Sequence, residues 1–255
     1  MITFQQIRNA TVKLQYPGVS FMIDPWLMDA CTPEERDQAA ATHSFIPKPG
    51  CLLPMSAEEL TAGVDCFFLT HIHSDHFSPD YLPSDGAFVC QNEKDAHYLE
   101  SKGFSNVQHF DEESLCIGGV TVYRVDAQHG ENAETAALMG PCSGFVFACD
   151  GEKTIYVAGD TVFYDGVRAV ISRFDPDVII VNACDARINI GRLIMDAGDV
   201  KKTCDCKPDS IVIASHMDTV THAHLTRKQL REDLTGTRYR EQVLIPADGE
   251  RIEII

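Results

Sequence analysis

Basic residues are scarce in this sequence: 21 Lys and Arg stand against 38 Asp and Glu, a formal net charge of −17 at pH 7. No Lys/Arg run exceeds two residues, as in Lys201-Lys202. A chain of that sign repels polyanions, which excludes an extended footprint on nucleic acid or on an anionic membrane. No apolar run approaches the ~18 residues of a membrane span. A basic stretch followed by an apolar one is also missing at the start, so no signal peptide is expected, and the expected location is the cytoplasm. Several catalytic signatures are lacking too. Without G-x-S-x-G there is no serine-hydrolase elbow. Without G-x-G-x-x-G, G-x-x-x-x-G-K-[ST] or H-E-x-x-H, nucleotide-cofactor and helical zincin chemistries have no support.

What is present suffices for a packed core: 44% of residues are hydrophobic and 23% charged, in 255 residues read as one domain spanning 1–255. The ten cysteines are scattered, mostly singly within apolar runs, as expected of cytosolic thiols used as small core hydrophobes. Cys204-Asp205-Cys206 has no C-x-x-C partner with which to complete a zinc site.

The N-terminal residues alternate through Ile2, Phe4 and Ile7, turn at Pro17-Gly18 and reach Asp24-Pro25-Trp26, an opening hairpin. Residues 27–55 carry four prolines and little periodicity and read as a long, site-covering loop. Ser56-x-x-Glu59 begins a short helix by its capping box. Val64–Thr70 is an apolar run of strand length, suited to a sheet covered on both faces. Further strands are expected at 86–90, 106–110, 115–126, 143–149, 153–158, 177–183, 210–215, 242–245 and 251–255, and helices at 92–102, 163–173 and 226–234. That order implies mixed sheets with helices outside, an α/β (α+β) fold.

The strongest local signal follows the buried strand: Thr70-His71-Ile72-His73-Ser74-Asp75-His76. In an extended chain alternate residues share a side, so His71, His73 and Asp75 converge and His76 swings in at the turn. Packing does not account for four ligand-type side chains within six residues. Imidazoles with a carboxylate suit zinc, manganese or iron. Two ions would need about seven or eight protein ligands, and three further candidates stand at strand ends: His129 after Val120–Ala127, Asp160 after Ile155–Ala158, and His216 after Ile211–Ala214.

On these residues the chain resembles the metallo-β-lactamase-fold hydrolases. H-x-H-x-D-H is met by His71, His73, Asp75 and His76, the middle histidine by His129, G-D-T by Gly159-Asp160-Thr161, and the late histidine by His216. Ile23-Asp24-Pro25-Trp26 and Tyr156–Thr161 look most like the L-ascorbate-6-phosphate lactonase-like branch. The resemblance implies a four-layer αββα sandwich of two mixed sheets with a dinuclear site at one edge. It implies that His71, His73 and His129 hold one divalent ion, that Asp75, His76 and His216 hold the other, and that Asp160 bridges them. Zn2+ is the default and Mn2+ or Fe2+ fit the same set. His216 is preferred to His222 or His224 because it ends an apolar strand; His222 is then a group that faces substrate or backs a ligand. His43, His97 and His109 are not expected to be ligands.

Two such ions acidify a water and polarise the bond it attacks, with Asp75 orienting it. The acidic surface favours a small-molecule ester, lactone or phosphoester, with Lys48 and Arg187 as candidate anion contacts, and an ester or lactone leads. A small or lipid phosphodiester and a metal-binding sensor without turnover are the competing readings. A homo-oligomer is compatible with the resemblance.

Overall fold

The computed structural model describes residues 1–42 and 48–255, so His43 lies outside the described residues. The chain begins with β1 (Ile2–Arg8), β2 (Thr11–Tyr16), β3 (Val19–Ile23), α1 (Pro33–Thr42), α2 (Ala57–Thr61), β4 (Cys66–Leu69), β5 (Ala87–Cys90), α3 (Glu93–Ser101) and β6 (Asn106–His109). It continues with β7 (Ser114–Ile117), β8 (Val120–Ala127), α4 (Ala133–Met139), β9 (Cys142–Ala148), β10 (Ile155–Val157), α5 (Asp165–Phe174) and β11 (Val178–Asn182). The last third holds β12 (Arg187–Ile188), β13 (Gly191–Arg192), α6 (Ala197–Cys206), β14 (Ile211–Ser215), α7 (Arg227–Leu234), β15 (Val243–Leu244) and β16 (Arg251–Ile254).

Two mixed seven-stranded sheets result, in the orders β16-β1-β2-β3-β4-β5-β6 and β15-β14-β11-β10-β9-β8-β7. Side-chain alternation explains the layering. Phe68 faces the space between the sheets with Phe21, Phe145 and Phe147, while Phe67 and Leu69 face Leu60 of α2 and Leu99 of α3. Val178 and Ile180 point into the same inner core, and Ile179 and Val181 meet Val170, Val200 and Leu230 of α5, α6 and α7. Strands buried on both faces need unbroken apolar runs, which is why the central strands were legible. The product is a four-layer αββα sandwich. No helix among the described residues is long and apolar enough to cross a membrane.

Several sequence expectations are corrected. The 27–55 segment is not all loop: α1 starts at Thr32-Pro33-Glu34-Glu35, where the Thr32 backbone N–H donates to Glu35 Oε2 (2.8 Å) and the Glu35 N–H to Thr32 Oγ1 (3.2 Å). This is the same capping signal as at Ser56, obscured by a helix with almost no apolar face. The 115–126 strand is two strands, because Gly118 and Gly119 both take positive φ and turn the chain. Helix α6 escaped notice because its buried face carries Asp199 and Thr203 among Val200 and Cys204.

Arg8 pins the covering segment down. Its buried guanidinium donates to the carbonyls of Trp26 and Met28 (both 2.8 Å) and Cys51 (3.0 Å), and it lies over the ring of the lone tryptophan.

Candidate metal centre

The carboxyl ends of β3, β4, β10, β11 and β14, together with the end of β8, meet at one edge of the sandwich, and each delivers a polar side chain there. Asn9, Asp24 and His216, residue types that enter the left-handed region more readily than most, take positive φ here (54°, 50° and 62°). Two glycines make room. A Cβ on Gly159 (φ 67°) would sit 2.4 Å from the Ser143 carbonyl oxygen, and one on Gly130 (φ 147°) 2.4 Å from Thr135 Oγ1. Only glycine lets the chain turn beside Asp160 and His129.

The structure places His71, His73, Asp75, His76, His129, Asp160 and His216 together. Three sets have ligand atoms within 4.8 Å of one another: His71, His73 and His129; His71, His76 and Asp160; Asp75, His76 and His216. Asp160 Oδ2 lies 3.2 Å from His76 Nε2, 3.3 Å from His129 Nε2 and 4.0 Å from His71 Nε2, and its Oδ1 lies 4.0 Å from His216 Nε2. Asp75 Oδ2 is 3.4 Å from His216 Nε2.

The outward-facing ring nitrogens fix the tautomers. His129 Nδ1 donates to the Leu193 carbonyl (3.1 Å), His73 Nε2 to the Met139 carbonyl (3.2 Å), and His76 Nδ1 to Asp24 Oδ2 (2.8 Å). Thr70 gives its hydroxyl proton to Asp24 Oδ2 (2.8 Å), so its oxygen accepts from His71 Nδ1 (2.9 Å). Cys184 Sγ backs His216 Nδ1 at 3.5 Å. With those protons outward, His71 Nε2 and His73 Nδ1 face each other as lone pairs only 2.9 Å apart. A cation relieves that repulsion, and each ring's second nitrogen is anchored as metal-bound histidines require. The donor set therefore fits a divalent transition metal.

Electrostatics agree. Burial would lower the His76 pKa, but Asp160, Asp24 and Asp75 outweigh it and raise it to about 10. His216 is also raised: burial opposes, while Cys184, Asp160 and Asp75 prevail. Burial and His76 push His71 well down, and burial and His129 lower His73. Burial would raise Asp75 and Asp160, but the neighbouring imidazoles hold both carboxyls far below the usual range. Without metal, the surrounding carboxylates favour the protonated forms of His76 and His216, whose Nε2 atoms lie 3.2 Å apart. In that form the His76 charge stabilises the fold fully below its unfolded value near 6.5 and ceases to as pH rises through about 10. Metal loading must displace these protons. Calorimetric titration in buffers of differing ionisation enthalpy should register proton release near pH 7, with affinity falling as pH drops. Release of none would contradict the assigned protonation.

Other candidates fall elsewhere. Lys48 pairs with Glu35 (2.6 Å) and Arg187 with Asp185 (2.9 Å), so each already has a carboxylate partner. His222 is partly buried, and burial lowers its pKa against the pull of Asp75, which sets it near the cluster. His97 is exposed on α3, and His109 pairs with Asp111. Sequence reading missed the supports. Asn182 Nδ2 donates to Asp160 Oδ1 (2.7 Å), and Asn9 Nδ2 to the Asp75 carbonyl (2.9 Å). Asn182 and Asp24 could have been found by the rule that picked out His216, a polar residue closing an apolar strand.

Residues 22–217 match the family described as "Beta-lactamase superfamily domain". The chain belongs to the metal-dependent hydrolases of the metallo-β-lactamase fold, and within them to the UPF0173 family. The UPF0173 protein YddR of Bacillus subtilis (strain 168) is 34% identical over 249 residues, 96% of this chain and 97% of that one. Among solved structures, the isothiocyanate hydrolase from Delia radicum gut bacteria is 35% identical with a TM-score of 0.87, covering 98% of both chains. A possible metal-dependent hydrolase from Veillonella parvula DSM 2008 is 32% identical with a TM-score of 0.89, covering 99% of both.

Proposed function

We propose that this protein hydrolyses a small molecule at an electrophilic carbon. Two divalent ions would serve it: His71, His73 and His129 would hold one, Asp75, His76 and His216 would hold the other, and Asp160 would be shared. The observation that carries this reading is the central position of Asp160, whose two oxygens lie within 4.0 Å of imidazoles from both sets. When bound, such ions lower the pKa of water to near neutrality and stabilise developing negative charge. The chain's own groups do the rest. Asp75 stays ionised at any working pH and so only accepts, which suits it to orient a water proton. His222, neutral by burial, is the group that faces the substrate.

Lys48 and Arg187, the candidate anion contacts, are each paired with a carboxylate, Glu35 and Asp185, and so lend the phosphodiester reading no support. The likeness to an isothiocyanate hydrolase at 35% identity over 98% of the chain puts isothiocyanates first among the substrates, ahead of lactones and carboxylic esters. Water adds to the central carbon of R–N=C=S, and the C–N bond then breaks with proton transfer to nitrogen, giving R–NH2 and carbonyl sulfide. Ten cysteines scattered mostly singly through apolar runs fit work in a reducing cytoplasm.

Metal analysis of the purified protein should find Zn2+, Mn2+ or Fe2+ at two per chain. Isothiocyanate, lactone, p-nitrophenyl ester and bis(p-nitrophenyl) phosphate panels should show turnover of carbon substrates, abolished by EDTA and restored by metal. Turnover of the phosphodiester alone would reverse the ranking. Full metal with no turnover on any panel would leave the sensor reading.

A further inference from the structure

Beside the metal centre the same edge holds a cavity of about 350 Å³ lined by His71, His73, Ile72, Leu138, Met139 and Tyr98, among others. That volume lies within the range of small-molecule sites. Its polar lining is occupied from within. Gln91 Nε2 donates to Asp95 Oδ2 (2.8 Å) and to the Pro141 carbonyl (2.9 Å), and its Oε1 accepts from Ser143 Oγ (2.9 Å). His73 Nε2 is engaged by the Met139 carbonyl. What remains for a ligand is apolar surface, plus the Lys94 ammonium and Tyr98 hydroxyl on exposed side chains.

Two large apolar side chains are left in water at this cavity, Leu138 at 63% exposure and Tyr98 at 40%. Leu138 sits in the last turn of α4, next to the Met139 carbonyl that orients His73, so this apolar wall and the metal centre are adjoining structure.

We infer that this cavity binds the organic substituent of the substrate and selects for apolar alkyl or arylalkyl groups, with Leu138 and Tyr98 as specificity-determining residues. The inference rests on the proposed hydrolysis at an electrophilic carbon. That reaction needs one reactive carbon at the metals and leaves the rest of the molecule to be held beside them. The apolar part of this lining gains affinity from desolvated methylenes, while Gln91 and His73, already engaged, offer little to a hydroxylated substituent.

The test compares methyl, propyl, hexyl and phenethyl isothiocyanates on the metal-loaded protein, and in parallel measures calorimetric binding of the corresponding N-alkylthioureas, whose carbon is much less electrophilic, with product analysis to check that they stay intact. Each methylene that reaches the cavity should raise kcat/KM and thiourea affinity about threefold, until the cavity is filled. Leu138→Asp should cut the hexyl-to-methyl ratio at least tenfold in both measurements. Ile255→Asp, a comparable exchange at an isoleucine 89% exposed and outside the cavity lining, should leave that ratio as it was. Both substitutions are at exposed positions, so folding is not at issue. A flat chain-length dependence, or equal effects of the two variants, overturns the inference while hydrolysis stands. If no isothiocyanate, lactone or ester is turned over, the proposed function fails. Thiourea binding then still decides the cavity: graded affinity weakened by Leu138→Asp supports it, and ungraded or absent binding overturns it.

Discussion

Asp160→Asn is expected to reduce kcat/KM by roughly 10³-fold or more, about 4 kcal/mol of transition-state stabilisation, while leaving the fold intact. The asparagine matches aspartate in size, and its carbonyl oxygen can still accept from Asn182 Nδ2, now 2.7 Å from Asp160 Oδ1. The amide nitrogen then takes the place of Oδ2, facing His76 Nε2 and His129 Nε2 at 3.2 and 3.3 Å, and donates to one of them. Packing and hydrogen bonding survive; the negative charge and the shared ligand do not. Metal content should fall below two per chain, and the protons held by His76 and His216 should loosen, because Asp160 is among the charges that raise both. Unchanged circular dichroism with lost metal and lost turnover is the expected combination. Activity within tenfold of the parent at full metal content would show that Asp160 is not shared between two ions.

The sequence made the centre legible for a physical reason. Side chains able to bind metal are chemically distinctive and here cluster at the ends of apolar strands, so His71–His76 stands out locally, and His129, Asp160 and His216 stand out by position. The supports are not distinctive. Met139 and Leu193 act through backbone carbonyls that any residue would supply, and Thr70 acts through a hydroxyl whose role depends on Asp24, 46 positions away. The fold divides in the same way. Strands buried on both faces, such as Cys66–Leu69 and Val178–Asn182, write their burial into unbroken apolar runs. Helix α6 buries Asp199, which accepts from Arg192 (2.5 Å), Lys202 (2.8 Å) and the Phe163 N–H (3.1 Å), and this polar network erases the apolar stripe. The network also holds the segment whose Leu193 carbonyl orients His129, so the least legible helix supports a ligand from a distance.

Asp24→Asn should separate positioning from ligation. Asp24 is buried and belongs to none of the three ligand sets; it accepts from the Thr70 N–H at Oδ1 and from the Thr70 hydroxyl and His76 Nδ1 at Oδ2, all at 2.8 Å. Through Thr70 it also fixes His71, so one carboxylate aligns imidazoles assigned to different ions. Asparagine tolerates the backbone φ of 50° found here, which keeps strain out of the comparison. Its amide nitrogen, however, opposes a donor whichever way the side chain turns: the Thr70 N–H in one orientation, the hydroxyl and His76 in the other. Metal affinity should fall 10- to 100-fold, the usual cost of losing the group behind a metal-bound histidine. Since every ligand remains, excess metal should bring kcat/KM back to within about tenfold of the parent, a recovery that Asp160→Asn does not allow. Chelator competition measures the first quantity, and assays at increasing metal measure the second. Loss of activity that no metal concentration repairs would mean that Asp24 does more than hold His76 and His71 in place.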